Sequence, residues 1–292
     1  MTSRVSTEID TQPTCWRRVA DPMSVGGKAL PKSGERVAVV GCGTSWFMAM
    51  AYAVLREQAG LGETDAFAAS EVPRGRRYDR LVAISRSGTT TEVLEVLDET
   101  TTPTVAITAV AGVPIHDAAQ QSILLDFADE ESVVQTRFAT TVLALLRASL
   151  GENLDPVAAD AEQALQVPVE TYTDATQATF LGRGWTVGLA YEAALKSREA
   201  AQFWSEAYPA MDYRHGPIAI AEPGRLVWAI GTPPAGLADE VAATGARFVT
   251  SDLDPLAQLV VAQRFAAALA RRRGLDMDRP RHLTRSVVLS PA

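Results

Sequence analysis

The sequence predicts an α/β protein of two domains, each built on a doubly wound parallel sheet. Three observations carry that reading. Short β-branched runs alternate with helical stretches; the alternation breaks once, near residues 151–169, and then resumes; and 292 residues is long for one hydrophobic core. Successive strands separated by helices need crossover connections, and crossovers of that kind make a sheet parallel.

Residues 1–34 are polar and punctuated by Pro13, Pro22, Pro31 and a glycine pair, which suits one short helix and a loop. RVAVVG at 36–41 then reads as a buried strand, followed by the glycine-rich turn GCGTS and a helix over 46–58. DAFAAS, LVAIS, TVAIT and SILLDF continue as short apolar strands with helical segments between them. GENLDP and VPVE interrupt the rhythm, so the first domain is placed at 35–155 and the second at 156–280. In the second, TFLGRG reads as a strand, 185–207 as one helix, RLVWAIG as a strand, GLADEVAATG as a helix and RFVTS as a strand. The last helix starts at Asp254-Pro255 and stops at Gly274. Residues 281–292 form a tail in which RPRHLTR leads to the strand-like SVVLS and reaches back over a site. The two halves look alike in pattern, without a residue-level repeat.

Composition narrows the function. With 27 Lys and Arg against 35 Asp and Glu the net charge is -8, which argues against nucleic acid as the main partner. The arginines at 271–273 sit at a helix end, where the dipole favours them. An anionic ligand therefore needs a local electropositive pocket. Residues 1–18 have no apolar core of a signal peptide, and no stretch of about eighteen apolar residues occurs, so a soluble cytoplasmic protein is expected. Cys15 and Cys42 make no disulfide framework, and His116, His215 and His282 are scattered. Neither a metal nor a cofactor is expected.

LVAISRSGTTTEVLEVL runs from a buried strand through a hydroxyl-rich turn into a helix, with Thr89 and Glu92 spaced as a capping box. Ser85, Ser87, Thr89, Thr90 and Thr91 thus crowd a helix N-terminus, where outward N–H groups and the dipole favour an anion, and Arg86 adds charge. The carboxyl end of a parallel strand is where open α/β sheets hold ligands; an ordinary Ser/Thr-rich cap is the alternative. In GCGTSWFM the third glycine position of a dinucleotide loop is Trp46. Glu71, the acid ending the next strand, lies about thirty residues away rather than roughly twenty, so a nicotinamide cofactor is not expected. Gly41 and Gly43 either let backbone approach a ligand, with Ser45 as a donor, or simply make a tight turn. Cys42 reads as a small buried filler rather than a nucleophile.

In LGRGWTVGLAYEAALKSREAAQFWSEAYPAMDYRHGP, residues 181–217, Glu192, Lys196 and Glu199 fall at i, i+4 and i+7 and share a helix face. Ala190, Ala193, Ala194, Ser197 and Ala201 form a small-residue stripe opposite. On spacing alone, Glu192 and Lys196 read as a solvated ion pair, Glu199 as one more surface acid, and His215 before Gly-Pro as a hydrogen-bonded turn residue.

VVGCGTSWFMAMAYAVLRE, AISRSGTTTEVLEVL and GRGWTVGLAYEAALKSREAAQFWSEAYPAMDYRHGPIAI, in this order, resemble the three signature stretches of the double-SIS (sugar isomerase) phosphosugar family. The motifs are most similar to those of the isomerase half of the glucosamine-6-phosphate synthases. The likeness runs from EIDTQP, near residue 7, to DRPRHLTRSVV. It implies two flavodoxin-like SIS domains. It also implies phosphate contacts at Ser85, Ser87 and Thr90, with Arg86 between them and Ser45 near the sugar. ESVVQTRFATT resembles the segment at the sugar hydroxyls, which places Val133 and Gln135 there, although the family more often has serine at the latter position. Glu199 aligns with the base that moves a proton between sugar carbons 1 and 2, Lys196 with a nearby lysine, and His215 with the ring-opening histidine. In the family that histidine comes from the neighbouring subunit, which implies a homodimer. Where the family's tail has a lysine, this chain has Arg285, which holds an oxygen or a phosphate but forms no Schiff base.

The resemblance implies an enzyme on a six-carbon sugar phosphate. With an amino group on carbon 2 the outcome is deamination to a ketose phosphate, and with a hydroxyl it is aldose-ketose isomerisation; a fructosamine-6-phosphate would give a deglycase. Glutamine amidotransferase activity is not expected, since no N-terminal cysteine nucleophile is present. A non-catalytic sugar-phosphate-binding regulator is the rival. It would need the turn but neither Glu199 nor His215.

Overall fold

The chain begins with two helices rather than one. In the computed structural model, which describes residues 3–73 and 75–289, α1 (Arg4–Asp10) is capped by Ser3, whose hydroxyl accepts from the Ser6 N–H. The helix stops at Thr11, and α2 (Gln12–Arg18) starts with Pro13 in its first turn, where a missing N–H costs nothing. Two short 3-10 turns, Pro22–Val25 and Gly27–Ala29, lead to the first sheet.

That sheet alternates β1 (Val37–Gly41), α3 (Thr44–Gln58), β2 (Thr64–Ala68), β3 (Arg80–Ile84), α4 (Thr91–Glu99), β4 (Thr104–Thr108), α5 (Ile115–Ala118) and β5 (Gln121–Leu124), and α6 (Arg137–Ser149) follows it. The strand order is β2-β1-β3-β4-β5, with every pair parallel. Covered on both faces, β1 and β4 are buried at every position, as the unbroken apolar runs in their sequences require. Ala38, Val40, Leu81, Ala83 and Ala106 meet Val93 and Leu97 of α4 and Ile115 of α5 in one cluster. The edge strand β5 buries only Ile123 fully.

The second sheet repeats the plan. After α7 (Asp155–Ala164) come β6 (Gln177–Gly182), α8 (Thr186–Ala201), β7 (Ser205–Pro209), β8 (Arg225–Ile230), α9 (Leu237–Ala243), β9 (Arg247–Val249) and α10 (Pro255–Arg272). The order is β7-β6-β8-β9, again all parallel, so the second half has the order of the first without its fifth strand. A shared constraint marks both first strands. A Cβ on Gly41 would lie 2.7 Å from the Ser45 Cβ, and one on Gly182 would lie 2.2 Å from the Thr186 carbonyl oxygen, so each strand ends where the next helix crowds its backbone. Asp254 caps α10 by accepting from the Leu256 N–H, with Pro255 in the first turn, as the sequence suggested.

Two further elements differ from expectation. The helix read over 185–207 ends at Ala201, because Gln202 takes a left-handed conformation (φ 49°, ψ 42°) and its N–H closes on the carbonyls of Ser197 and Arg198. Phe203 then turns inward, edge-on to Phe265 with ring centroids 6.0 Å apart, and 205–209 continues as β7. The alanines of this stretch favour a helix, but the aromatic side chain finds its burial by leaving it. SVVLS is not a strand over its described residues. Its backbone instead meets the start of α4.

The chain clusters into two units that are not simple halves. One contains Ser132–Thr136, Pro156–Leu283 and the N-terminal stretch through Pro13; the other contains Thr14–Glu131, Arg137–Asp155 and the C-terminal stretch from Thr284. Val5 and Arg4 accordingly donate their N–H groups to Asp278. Among the described residues, no helix is long and apolar enough to cross a membrane.

Candidate functional site

The turn after β3 is wired through its own hydroxyls. Ser85 Oγ accepts from the Gly88 N–H at 3.2 Å and lies 3.2 Å from Thr90 Oγ1, while Ser87 Oγ accepts from both the N–H and the hydroxyl of Thr89. Gly88 sits at φ 63°, and a Cβ there would come within 2.5 Å of Val113, so the turn accepts no other residue without displacing its neighbour. The cap itself differs from the expected box. Thr90, not Thr89, is the N-cap of α4, and it makes no side-chain cap bond, which leaves the Thr89 hydroxyl to Ser87 and Ser286.

Arg86 is buried beside this cluster. Its guanidinium is fully buried, 3.7 Å from the equally buried Glu130 carboxylate, and it donates to the Arg285 carbonyl at 2.9 Å. Glu130 in turn accepts from the Arg137 N–H at the start of α6. The charge that the sequence offered to an anion is thus matched internally. Arg285 pairs with Asp129 at 2.5 Å, Ser286 bonds Ser87 at 3.0 Å, and the Val287 carbonyl accepts from the Thr91 N–H. Tail residues from Thr284 therefore lie along the mouth of the turn, a role that no motif in SVVLS announces.

Ser45 is buried in the first turn of α3, its N–H donating to the Cys42 carbonyl. Burial pushes the Cys42 thiol up to about 11, so it is protonated at neutral pH and is no nucleophile as it stands.

On α8 the three charged residues do share a face, but that face is inside. Lys196 Nζ lies 3.4 Å from Glu192 Oε1 and 2.5 Å from Glu199 Oε2; the Glu192 and Lys196 side chains are 1% and 2% exposed, and that of Glu199 is 19%. One ammonium serves two carboxylates, of which only Glu199 meets solvent. The stripe of Ala190, Ala193, Ala194, Ser197 and Ala201 is fully buried, and α8 packs on α10. Arg198, which sequence reasoning passed over, lies in the field of Glu199 and Glu192; burial pulls its guanidinium below the ordinary value against both.

His215 ends a 3-10 turn, Asp212–His215, and is exposed with no hydrogen bond among the described residues, so it is not the hydrogen-bonded turn residue that its Gly-Pro context suggested. Val133 and Gln135 are half-buried in the segment 132–136, where the Ser132 N–H donates to Glu8. The Gln135 amide oxygen is buried without a hydrogen-bond partner among the described residues. The structure thus brings Ser85, Ser87 and Thr90 together with Arg285 close by in one unit, and Glu192, Lys196 and Glu199 together in the other.

No protein-family model matches the chain. Over 97% of its length it is 28% identical to glutamine–fructose-6-phosphate aminotransferase (isomerizing) of Streptococcus pneumoniae, of which the match covers 58%. The chain spans about half the length of the curated relatives it matches. Among solved structures, glucosamine-6-phosphate deaminase from Thermotoga maritima superposes with a TM-score of 0.84 at 24% identity, covering 98% of this chain and all of the other. The C-terminal domain of glucosamine-fructose-6-phosphate aminotransferase from Francisella tularensis gives 0.83 at 22% identity over 96% and 99%. These likenesses bear out the resemblance to the double-SIS phosphosugar family read from the three motifs.

Proposed function

We infer that this chain is an enzyme that moves a proton between carbons 1 and 2 of a hexose or hexosamine 6-phosphate. The observation that carries the reading is the arrangement on α8, where a buried ammonium holds two carboxylates and leaves the outer one, Glu199, in touch with solvent. A base for this reaction must be fixed in place and still meet substrate, and Glu199 alone of the three is placed so.

In this reading the phosphate is held by Ser85, Ser87 and Thr90 at the positive end of the α4 dipole, whose first N–H, that of Thr91, is taken by the Val287 carbonyl. Since Arg86 is matched by Glu130, dipoles and hydroxyls rather than a full cation meet the phosphate charge. Ser45, Val133 and Gln135 face the sugar. His215, contributed by the second copy in a homodimer, passes a proton to the ring oxygen as the ring opens. Glu199 takes the proton from one carbon and returns it to the next through an enediol or enolamine, and Lys196 keeps that carboxylate oriented. Arg285, paired with Asp129, lies near enough to hold a substrate oxygen and forms no covalent intermediate. An amino group on carbon 2 leads to ammonia and a ketose phosphate; a hydroxyl there leads to isomerisation.

The test is to incubate the protein with glucosamine-6-phosphate, galactosamine-6-phosphate and fructose-6-phosphate, following ammonia and ketose formation from the two amino sugars and aldose formation from fructose-6-phosphate, beside a Glu199→Gln variant. Turnover by the wild type, reduced about a hundred- to ten-thousandfold in the variant, supports the reading. Tight phosphosugar binding by both proteins without turnover by either would sink it in favour of a regulator.

A further inference from the structure

The residue before His215 is held in an unusually complete way. Arg214 Nε and Nη2 form a two-pronged contact with Glu240 of α9 at 2.7 and 2.8 Å; Nη2 also donates to the Ala235 carbonyl at 2.9 Å, and Nη1 lies 3.3 Å from the Met211 sulfur. Every nitrogen of the guanidinium is spent on the protein, so Arg214 has no fork left to offer a substrate. Gly236, left-handed at φ 79°, caps α9 directly below: a Cβ there would stand 3.5 Å from Glu240 and 3.9 Å from Arg214.

On the other side of Arg214, Tyr213 is fully buried in the cluster that also holds Leu237 and Val241 of α9. The backbone leading to His215 is therefore fixed twice to one helix, by the Tyr213 ring in the core and by the Arg214 fork at the surface. After His215 the chain passes into Gly216 at φ 135°, where a Cβ would meet nothing. Beyond it the turn Pro217–Ile220 packs Ile218 on the same cluster, so His215 sits between two anchored turns, and among the described residues its own ring makes no hydrogen bond. A partly exposed ion pair adds little to folding, whereas a two-pronged fork fixes direction well.

We propose that Arg214 and Glu240 are positioning residues for His215, setting the direction in which its imidazole leaves the turn and hence the rate of ring opening. Neither touches the sugar; both act through the backbone of residues 213–215. The inference rests on the role given to His215 above.

The test compares two substrates in the 292-residue chain. Fructose-6-phosphate closes into a ring. Its 5-deoxy analogue has no hydroxyl placed to form a five-membered ring and its sixth oxygen is phosphorylated, so it stays open. Wash-in of solvent deuterium at carbon 1, with ammonium present, reports enolisation of either. Glu240→Gln is expected to lower kcat on the ring-forming sugar about tenfold, the order that a sub-ångström misplacement costs, with KM within about twofold and little change on the open analogue. Adding Glu240→Gln to His215→Ala should bring no further loss, and Arg214→Lys, which keeps the charge but loses the fork, should resemble Glu240→Gln. An equal loss on both substrates, or losses that multiply in the double variant, would show a general structural role and overturn the proposal. If His215→Ala slows the ring-forming sugar and Glu240→Gln does not, the proposal fails alone. If His215→Ala slows neither, the role of His215 falls first and the proposal with it.

Discussion

Replacing Lys196 by methionine tests whether the α8 charges are a buried unit or a surface decoration. The Lys196–Glu192 separation of 3.4 Å corresponds to about 5 kcal/mol of gross attraction at an effective dielectric of about 20. Methionine fills much of the same volume but leaves the Glu192 carboxylate, 1% exposed, without that ammonium. Removing one member of a buried pair costs about 3–5 kcal/mol, whereas an exposed pair is worth about 0.2–1 kcal/mol. With a urea m-value of about 2 kcal/mol/M, the midpoint of the second half should fall by roughly 1.5–2.5 M. Trp228, packed between Tyr172, Phe180 and Phe265 in that half, supplies the fluorescence signal. Adding Glu192→Gln should recover about 1–3 kcal/mol, because the stranded charge is then gone. A shift below about 0.5 M for Lys196→Met, or no recovery in the double variant, would refute the argument and return the pair to the solvated state that spacing alone suggests.

Gly182→Ala should destabilise the second half by about 3 kcal/mol or more, since its Cβ would meet backbone atoms of Thr186 at 2.2 and 2.4 Å. Gly34→Ala, with open space but φ 83°, should cost only about 1–2 kcal/mol; equal urea midpoints for the two variants would contradict this. Burial pushes the Tyr213 phenol up to about 12, and its hydroxyl has no hydrogen-bond partner among the described residues. A raised value in the folded state means that the stability linked to this group is intact below its ordinary value of 10 and is lost as pH rises through about 12. Tyr213→Phe should therefore gain about 1 kcal/mol at pH 8 and lose less between pH 8 and 11 than the wild type; an unchanged pH 8 to 11 difference would count against it. Iodoacetamide should leave Cys42 unmodified in the folded protein at pH 8, where a thiol shifted to about 11 is almost wholly protonated, and alkylation there at the rate of free cysteine would show the burial to be wrong.

The sheets were legible because interior parallel strands must be apolar on both faces, and VAVVG and TVAIT are. The turn after β3 was legible as a hydroxyl cluster following a strand. What escaped was whatever depends on a partner distant in sequence. Arg86 looks like a phosphate ligand until Glu130 is seen against it, and nothing in ADEES marks that acid. Helical spacing put Glu192, Lys196 and Glu199 on one face but could not say which way it turned, because both the charged and the small-residue faces of α8 are covered. The end of α8 was missed because Gln202 gives no signal of a left-handed stop; glycine would have.

Because the stretch from Thr284 clusters with residues 14–131 and the stretch through Pro13 with residues 156–283, neither globule is made from an unbroken piece of polypeptide. During synthesis the first sheet is complete at Leu124, yet the Thr91 N–H waits for the carbonyl of Val287, some two hundred residues later on the ribosome. A nascent chain therefore carries the turn after β3 without this contact until Val287 has been added, and separating the chain near residue 155 would leave one piece without the stretch from Thr284 and the other without α1 and residues 132–136.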